Sequence, residues 1–422
     1  MMNSFGSLSG QVDKKKYVVI LLFLIVTALS VVGCNLPAGR NCFGGGPCSS
    51  PTSTPSPTPG PSPRLLISDN TTGAVNVVDV KTDLITKTIA VNSPGKLVSA
   101  GGVTLIQSTL SATVTIFDNS TETIRFTVAL PALAVDIALT PDGKTAWVAE
   151  NNGTVQSINT ATGVISTTTT EASVQRLFLG SQGLVLLPLN DGLTGSFPVI
   201  ATQTANATTV TSTNLDHPAN AVFIPGNDSQ FFVLNCGVEC GGTQAGIVGI
   251  TNGTGTPTIT SPLSLSGATT ALLGGSTIFV AGSPTTGLNA GTLQTVDTGL
   301  AAASTAVKIA DGRHNMMALT SNGRLYIGST GCTAGAVNAQ NQRQGCLTIF
   351  DTTTQIATPV LVPANRTTLD VTGLAPVPGR NVIYVIQGGV LDIFDITTNT
   401  VSTTATPPNI TGTAFGVVQL SP

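Results

Sequence analysis

The stretch VTIFDNSTETIRFTVALPALAVDIALTPDGKTAWVA, residues 114–149, contains four short segments in which apolar and polar residues alternate. Alternation with a period of two residues predicts β-strands. The first segment ends at Asp118, before a turn rich in Ser and Thr, and Pro141-Asp142-Gly143 separates the last two segments. Proline presets φ and glycine accepts a positive φ, so this tripeptide favours a tight turn. The stretch therefore predicts antiparallel strands joined by short connections.

The segment that ends at Asp118 recurs throughout residues 64–422. The copies end at residues 79, 118, 159, 200, 251, 297, 351 and 395, which are 39 to 54 residues apart. Five copies end in Asp, and a strand–turn–strand element similar to 134–149 is interleaved with them. We interpret the recurring Asp as a residue that accepts hydrogen bonds from the amides of the following turn. The spacing is typical of a four-stranded propeller blade, so the sequence predicts an all-β β-propeller of antiparallel blades.

The ends of the repeat region predict how the ring closes. Residues 65–68 match the second strand of a unit, whereas residues 415–420 match the first strand. We therefore expect the C-terminal segment to supply the innermost strand of blade 1, which removes an exposed sheet edge. This count gives eight blades. Seven blades is the alternative, because the copies near residues 200 and 251 are weak.

Together the two elements resemble the YVTN-type β-propeller repeat. That family alternates a V-x-V-I-D-like strand, a Thr-rich turn and a strand–SPDG–strand hairpin, and the resemblance is clearest at residues 75–79, 114–150, 347–351 and 391–395. The resemblance implies a propeller over residues 64–422. Proteins similar to this family include surface and envelope proteins. That agrees with the cell-envelope location that the N-terminal segment predicts.

The N-terminal segment reads as an export signal. Lys14-Lys15-Lys16 precede an apolar run over residues 17–32, and Val31-Val32-Gly33-Cys34 resembles a bacterial lipobox. We predict a lipoprotein signal peptide over residues 1–33 and acylation of Cys34, with an uncleaved anchor or an ordinary secretory signal as the alternatives. Residues 34–63 then form a Pro/Ser/Thr-rich linker, extended over 49–63. The expected location is the bacterial cell envelope, at the outer membrane or cell surface, with membrane contact through the lipid anchor only.

The remaining six cysteines predict disulfide bonds. They lie in local pairs, which is the pattern of short-range disulfides in an exported protein, although free thiols are the alternative; the pairs are Cys42/Cys48, Cys236/Cys240 and Cys332/Cys346. The spacings fit neither a zinc site nor c-type haem attachment, so no metal is expected.

Composition excludes some classes of partner. Only 9% of residues are charged and the net charge is -3. Arg176 is the only basic residue between Lys144 and Lys308. A body so poor in positive charge is a poor nucleic-acid binder, because such binding depends on neutralising phosphates. The sequence also lacks the motifs of nucleotide-binding, serine-hydrolase and zinc-protease sites, and no cofactor is expected.

The two Cys-bearing insertions predict a functional face. In an up-and-down blade, the loops between strands 2 and 3 share one side of the ring with the blade-to-blade connections, and both insertions fall in such loops. Insertions gathered on one side of a repeat protein often mark the binding side, although tolerated loop growth gives the same pattern. The candidate binding residues are Glu239, Gln342 and Arg343.

A catalytic site is the competing hypothesis. The only two histidines precede first strands and have charged neighbours, so a His beside a carboxylate could act as a general base, with solvated loop residues as the alternative; these weak candidates are Asp216, His217, Arg313 and His314. Channel residues Asp136 and Asn315 could serve instead. The main hypothesis is a non-catalytic binding or scaffold module whose partner is an envelope protein or polysaccharide. The alternative is a lactonase-, lyase- or dehydrogenase-like enzyme at the channel mouth, which rests on analogy of fold.

Overall fold

The strand that starts the ring pairs with the strand that ends the chain. The computed structural model describes residues 63–421 except 171–172, 253, 285–289, 334–343 and 361–369. Within it, β1 (Arg64–Asp69) is antiparallel to β33 (Ala414–Gln419), with Leu66 opposite Val418. The first sheet has the order β3-β2-β1-β33, so β33 is its innermost strand. The predicted closure by the C-terminal segment is confirmed.

Eight four-stranded antiparallel sheets follow one another around the ring, and the fifth carries one additional short strand, β20. The remaining strands of blades 1–4 are β2 (Ala74–Asp79), β3 (Leu84–Ala90), β4 (Pro94–Ala100), β5 (Val103–Ser108), β6 (Thr113–Asp118), β7 (Thr123–Ala129), β8 (Ala134–Leu139), β9 (Thr145–Glu150), β10 (Thr154–Asn159), β11 (Ile165–Thr170), β12 (Arg176–Leu179), β13 (Val185–Leu189), β14 (Ser196–Ala201) and β15 (Asn206–Thr211). Those of blades 5–8 are β16 (Pro218–Ile224), β17 (Asn227–Asn235), β18 (Gly246–Thr251), β19 (Thr258–Ile259), β20 (Leu263–Ser264), β21 (Thr270–Gly274), β22 (Thr277–Gly282), β23 (Gly291–Asp297), β24 (Val307–Ile309), β25 (Arg313–Leu319), β26 (Arg324–Thr330), β27 (Cys346–Asp351), β28 (Ile356–Val360), β29 (Val371–Pro376), β30 (Val382–Gln387), β31 (Val390–Asp395) and β32 (Thr400–Val401).

The chain is thus an all-β propeller of eight blades, and the alternative of seven is wrong. The weak repeat copies near residues 200 and 251 form the third strands of blades 4 and 5. In the described ranges the helical structure is a single 3₁₀ turn, Gly237–Cys240. None of the described helical structure has the length and apolarity needed to cross a membrane.

The recurring Asp ends the third strand of a blade, as the sequence predicts. Asp118 Oδ1 accepts hydrogen bonds from the backbone N–H groups of Ser120 and Thr121, at 2.9 and 3.0 Å. Asp351 and Asp395 accept equivalent bonds from the turns that follow them. The structural interpretation of these carboxylates is confirmed. These turns lie on the side of the ring opposite the loops between strands 2 and 3.

The hydrophobic core lies between blades rather than inside any one of them. Leu66 and Val77 of blade 1 pack with Ile106 and Phe117 of blade 2, and all four are buried. Trp147 of blade 3 is fully buried in a similar cluster shared with blade 4. Each blade therefore depends on its two neighbours to cover its apolar faces.

A polar cluster joins blade 8 to blade 1 at the seam of the ring. The Arg380 guanidinium donates to both carboxylate oxygens of Asp83, at 2.6 and 3.0 Å. The buried Tyr384 hydroxyl donates to the same carboxylate. The Asp83 side chain is only 8% exposed, so its charge depends on these donors in place of water.

Replacement of Arg380 tests how much the polar cluster between blades 8 and 1 stabilises the fold. Arg380→Leu removes both guanidinium hydrogen bonds from the buried Asp83 carboxylate, and we expect a loss of about 2 kcal/mol in the free energy of unfolding. Lys144→Leu is the matched control, because its ion pair with Asp142 is exposed and should contribute less than about 0.5 kcal/mol. Urea unfolding of both variants measures the difference. Equal effects would contradict the assigned role of Arg380.

Candidate binding face at the channel mouth

One loop of the predicted functional face is described over its whole length. It spans residues 236–245 between strands β17 and β18 of blade 5, and we call it the disulfide loop. The disulfide Cys236–Cys240 closes its 3₁₀ turn, and Gly241 continues it with a φ of 89°. A positive φ of this kind favours glycine. The loop is therefore covalently and conformationally restricted at its first half.

The second insertion lies on the same face, between β26 and β27 of blade 7. Its ends are joined by the disulfide Cys332–Cys346. Candidate residues Gln342 and Arg343 lie outside the described residues, as do Cys34, Cys42 and Cys48.

Asp216 fastens the second half of the disulfide loop. Its carboxylate accepts the backbone N–H groups of Thr243 and Gln244, at 2.7 and 2.9 Å, and the Thr243 hydroxyl at 2.9 Å. His217 Nδ1 lies 2.7 Å from Asp216 Oδ1. Burial alone would raise the pKa of Asp216, but these hydrogen bonds outweigh it and lower the pKa to about 2. Asp216 is therefore an anion that holds the loop at neutral pH.

Glu239 attaches the loop to blade 6. Its carboxylate accepts the Ser283 N–H at 2.8 Å and the Thr269 hydroxyl. Burial raises the pKa of Glu239, while the two hydrogen bonds and the positive charge of Arg176 oppose that rise. This candidate binding residue thus faces the neighbouring blade, and Val238 beside it is 65% exposed.

An ion pair crosses the mouth of the channel. Asp191, on the β13–β14 loop of blade 4, pairs with Arg313, the first residue of β25 in blade 7. The Sγ atom of Cys240 lies 3.7 Å from Asp191 Oδ2. The disulfide loop and this ion pair therefore connect blades 4, 5, 6 and 7 on one side of the ring. Burial, together with the nearby charge of Arg176, lowers the pKa of Arg313.

His314 is buried rather than solvated, so the alternative of a solvated loop residue is wrong for this histidine. It lies within β25 and is 1% exposed. Its Nε2 is 3.0 Å from the carbonyl oxygen of Ala310, and its Nδ1 has no partner among the described residues. Burial lowers the pKa of His314 to about 4, so the ring is neutral at pH 7.

The four catalytic candidates lie in three separate surroundings. Asp216 and His217 contact each other and the disulfide loop, whereas Arg313 pairs with Asp191 and His314 turns into the core. No hydrogen bond or ion pair joins the Asp216–His217 pair to Arg313 or His314 within the described ranges. In the part of the chain that the structure describes, no group of three His, Cys, Asp or Glu side chains is placed to hold a metal ion.

The mouth opens into a cavity of about 570 Å³ in the centre of the ring. It is lined mainly by innermost strands, and its charged lining residues are Lys96, Asp136 and Arg176. Lys96 and Asp136 form an ion pair, and Asp136 Oδ2 also accepts the N–H of Leu177 at 2.8 Å. The sequence singles out Arg176 only as the one basic residue between 144 and 308, and that isolation does not place it in the channel.

The fold and its mouth define an eight-bladed β-propeller, and similar solved structures agree. The chain resembles the dihydro-heme d1 dehydrogenase NirN, solved in complex with DHE, with a TM-score of 0.64 and 11% identity over 85% of this chain and 75% of that one. It also resembles the β-propeller domain of Swd1 from Myceliophteria thermophila, with a TM-score of 0.51 and 11% identity over 73% and 98%. These identities establish the fold alone. The chain matches no family model and no curated protein.

The buried His314 predicts a pH dependence of stability. Between its ordinary pKa of 6.5 and its folded value of about 4, the unfolded chain binds a proton that the folded chain does not. Stability contributed by the neutral ring is therefore present above pH 6.5 and is lost as the pH falls toward 4. From pH 7 to pH 4.5 the loss should be about 2 kcal/mol.

Urea unfolding of the unaltered chain and of His314→Gln at both pH values isolates this contribution. The variant should lose less stability on acidification by about the same amount, because its side chain does not titrate. An identical pH dependence in both proteins would contradict the assignment.

Proposed function

We propose that the chain is a lipid-anchored, non-catalytic binding or scaffold module of the bacterial cell envelope. Its binding surface is the disulfide loop and the channel mouth around it. The partner is an envelope protein or polysaccharide, which fits a body with few charged residues and many Thr side chains. The anchor follows from the lipobox-like Cys34 and the linker after it.

The exposure of Val238 on an immobilised loop carries this proposal. The side chain is 65% exposed, yet the loop beneath it is closed by Cys236–Cys240 and fastened by Asp216 and Glu239. A surface held in one conformation loses little conformational freedom when a partner binds, so more of the contact energy remains as affinity. An exposed apolar side chain on such a loop adds buried apolar area when a partner covers it.

The surroundings of the catalytic candidates also support binding over catalysis. The Asp216 carboxylate is already occupied by the loop amides and by His217. Arg313 is engaged by Asp191, and the pKa of His314 lies well below the pH at which it would exchange protons efficiently. Asp216 and Arg313 therefore each have a structural task that explains their positions.

Retention of an envelope partner tests the binding surface. The full chain is immobilised, exposed to envelope extract and washed, and retained proteins and sugars are identified by mass spectrometry and carbohydrate analysis. We expect Val238→Asp to abolish retention, because it places a charge at the proposed anchor. Val164→Asp is the matched control, since Val164 is 59% exposed on the opposite side of the ring. A partner that survives Val238→Asp but is lost with Val164→Asp would contradict the proposal, as would no retention by the unaltered chain.

Mass spectrometry of the mature N-terminus tests the anchor. The chain expressed in a bacterial host should begin at Cys34 and carry a diacylglyceryl group and an N-acyl chain. Cys34→Ser should prevent the modification and release the protein from the membrane fraction. A mature chain that is unmodified at Cys34 would contradict the lipoprotein assignment and leave the Val238 experiment unaffected.

A further inference from the structure

Arg176 lies in the wall of the central channel, where it lines the cavity. Its guanidinium forms no ion pair and donates no hydrogen bond to another residue of the described ranges. Burial lowers the pKa of Arg176, while Asp136 and Glu239 oppose this at a distance. The guanidinium nevertheless keeps its charge, because arginine does not deprotonate in proteins.

Neighbouring charges do not occupy this guanidinium. Asp136 is engaged by Lys96 and by the Leu177 N–H, and Glu239 Oε2 accepts hydrogen bonds from blade 6, while Glu239 Oε1 has no hydrogen-bond partner among the described residues. A half-buried guanidinium that is hydrogen-bonded to neither carboxylate is suited to an external oxyanion, which it can bind through two parallel hydrogen bonds.

The channel lining combines polar and apolar side chains. On β12, Arg176 is followed two residues later by Phe178, and both line the cavity. Residues two apart lie on the same side of a regular strand, and Arg176 and Phe178 pair with β13 without a register shift. Met317 on β25 and Leu374 on β29 add further apolar lining. The Arg176 guanidinium therefore lies in a cavity whose wall is partly apolar.

We propose that the central channel binds a small amphipathic organic acid. Its carboxylate or phosphate is held by Arg176, and its apolar or aromatic body lies against Phe178, Met317 and Leu374. The cavity of about 570 Å³ is within the range of small-molecule sites. The site goes beyond the proposed envelope partner, because Val238 is not among the residues that line this cavity.

Three probes that share a naphthyl ring separate the contribution of the charged group from that of the apolar body. The full chain is reconstituted in liposomes and dialysed against 2-naphthoate, 1-naphthyl phosphate or 2-naphthol, with protein-free liposomes as the blank. We expect saturable binding of one or both anions and much weaker binding of 2-naphthol. The tighter of the two anions identifies the carboxylate or the phosphate as the preferred head group.

Substitution of Arg176 tests whether its guanidinium holds the anionic group of the ligand. Arg176→Gln should weaken anion binding at least about tenfold and leave the weak binding of 2-naphthol unchanged. Arg176→Lys keeps the charge but loses the planar fork, so its loss should be smaller, about threefold. Arg125→Gln is the matched control, because Arg125 pairs with Asp118 at an outer strand.

The proposal is overturned if the unaltered chain binds neither anion. It is also overturned if both Arg176 variants bind as tightly as the unaltered chain, or if 2-naphthol binds as tightly as the anions. Should Arg176→Gln fail to fold, Arg176→Lys still tests the role of Arg176. It should weaken anion binding only if the guanidinium binds the anion through two hydrogen bonds. The Val238→Asp variant should bind the probes normally, which separates this outcome from the envelope experiment.

Discussion

The pairing of β1 with β33 is the constraint on which the rest of the molecule depends. Each blade buries its apolar faces only against its two neighbours, so a row of blades without closure would expose two such faces and two sheet edges. The register that sets Leu66 opposite Val418 completes blade 1. The Asp83–Arg380 cluster then joins the same two ends of the ring from the outside. The channel and its mouth exist because this circle is closed.

The two sides of the ring differ in how regular their connections are. One side repeats the same turn, in which a strand-ending carboxylate such as Asp118 or Asp395 accepts backbone amides. The opposite side carries the disulfide loop and the Asp191–Arg313 ion pair, which differ from blade to blade. Uniform turns preserve the blade geometry. The loops on the variable side can change in length and sequence without disturbing that geometry.

The sequence predicted whatever depends on local pattern. The eight strands that end near residues 79 to 395, the closing strand and two disulfides follow from alternation, turn chemistry and spacing. The cross-ring contact of Arg313, the burial of His314 and the channel position of Arg176 could not be predicted, because they depend on how distant blades face each other. The YVTN resemblance and the lipoprotein signal remain predictions.

The order of strands in blade 1 also restricts when the protein can mature. Its innermost strand consists of residues 414–419, whereas its other three strands lie within residues 64–90. Blade 1 therefore cannot be completed before residues 414–419 are available, far along the chain from its other three strands. A pairing between segments so distant in sequence incurs the entropy of closing the whole ring before it gains stability, so we expect ring closure to be a slow step of folding.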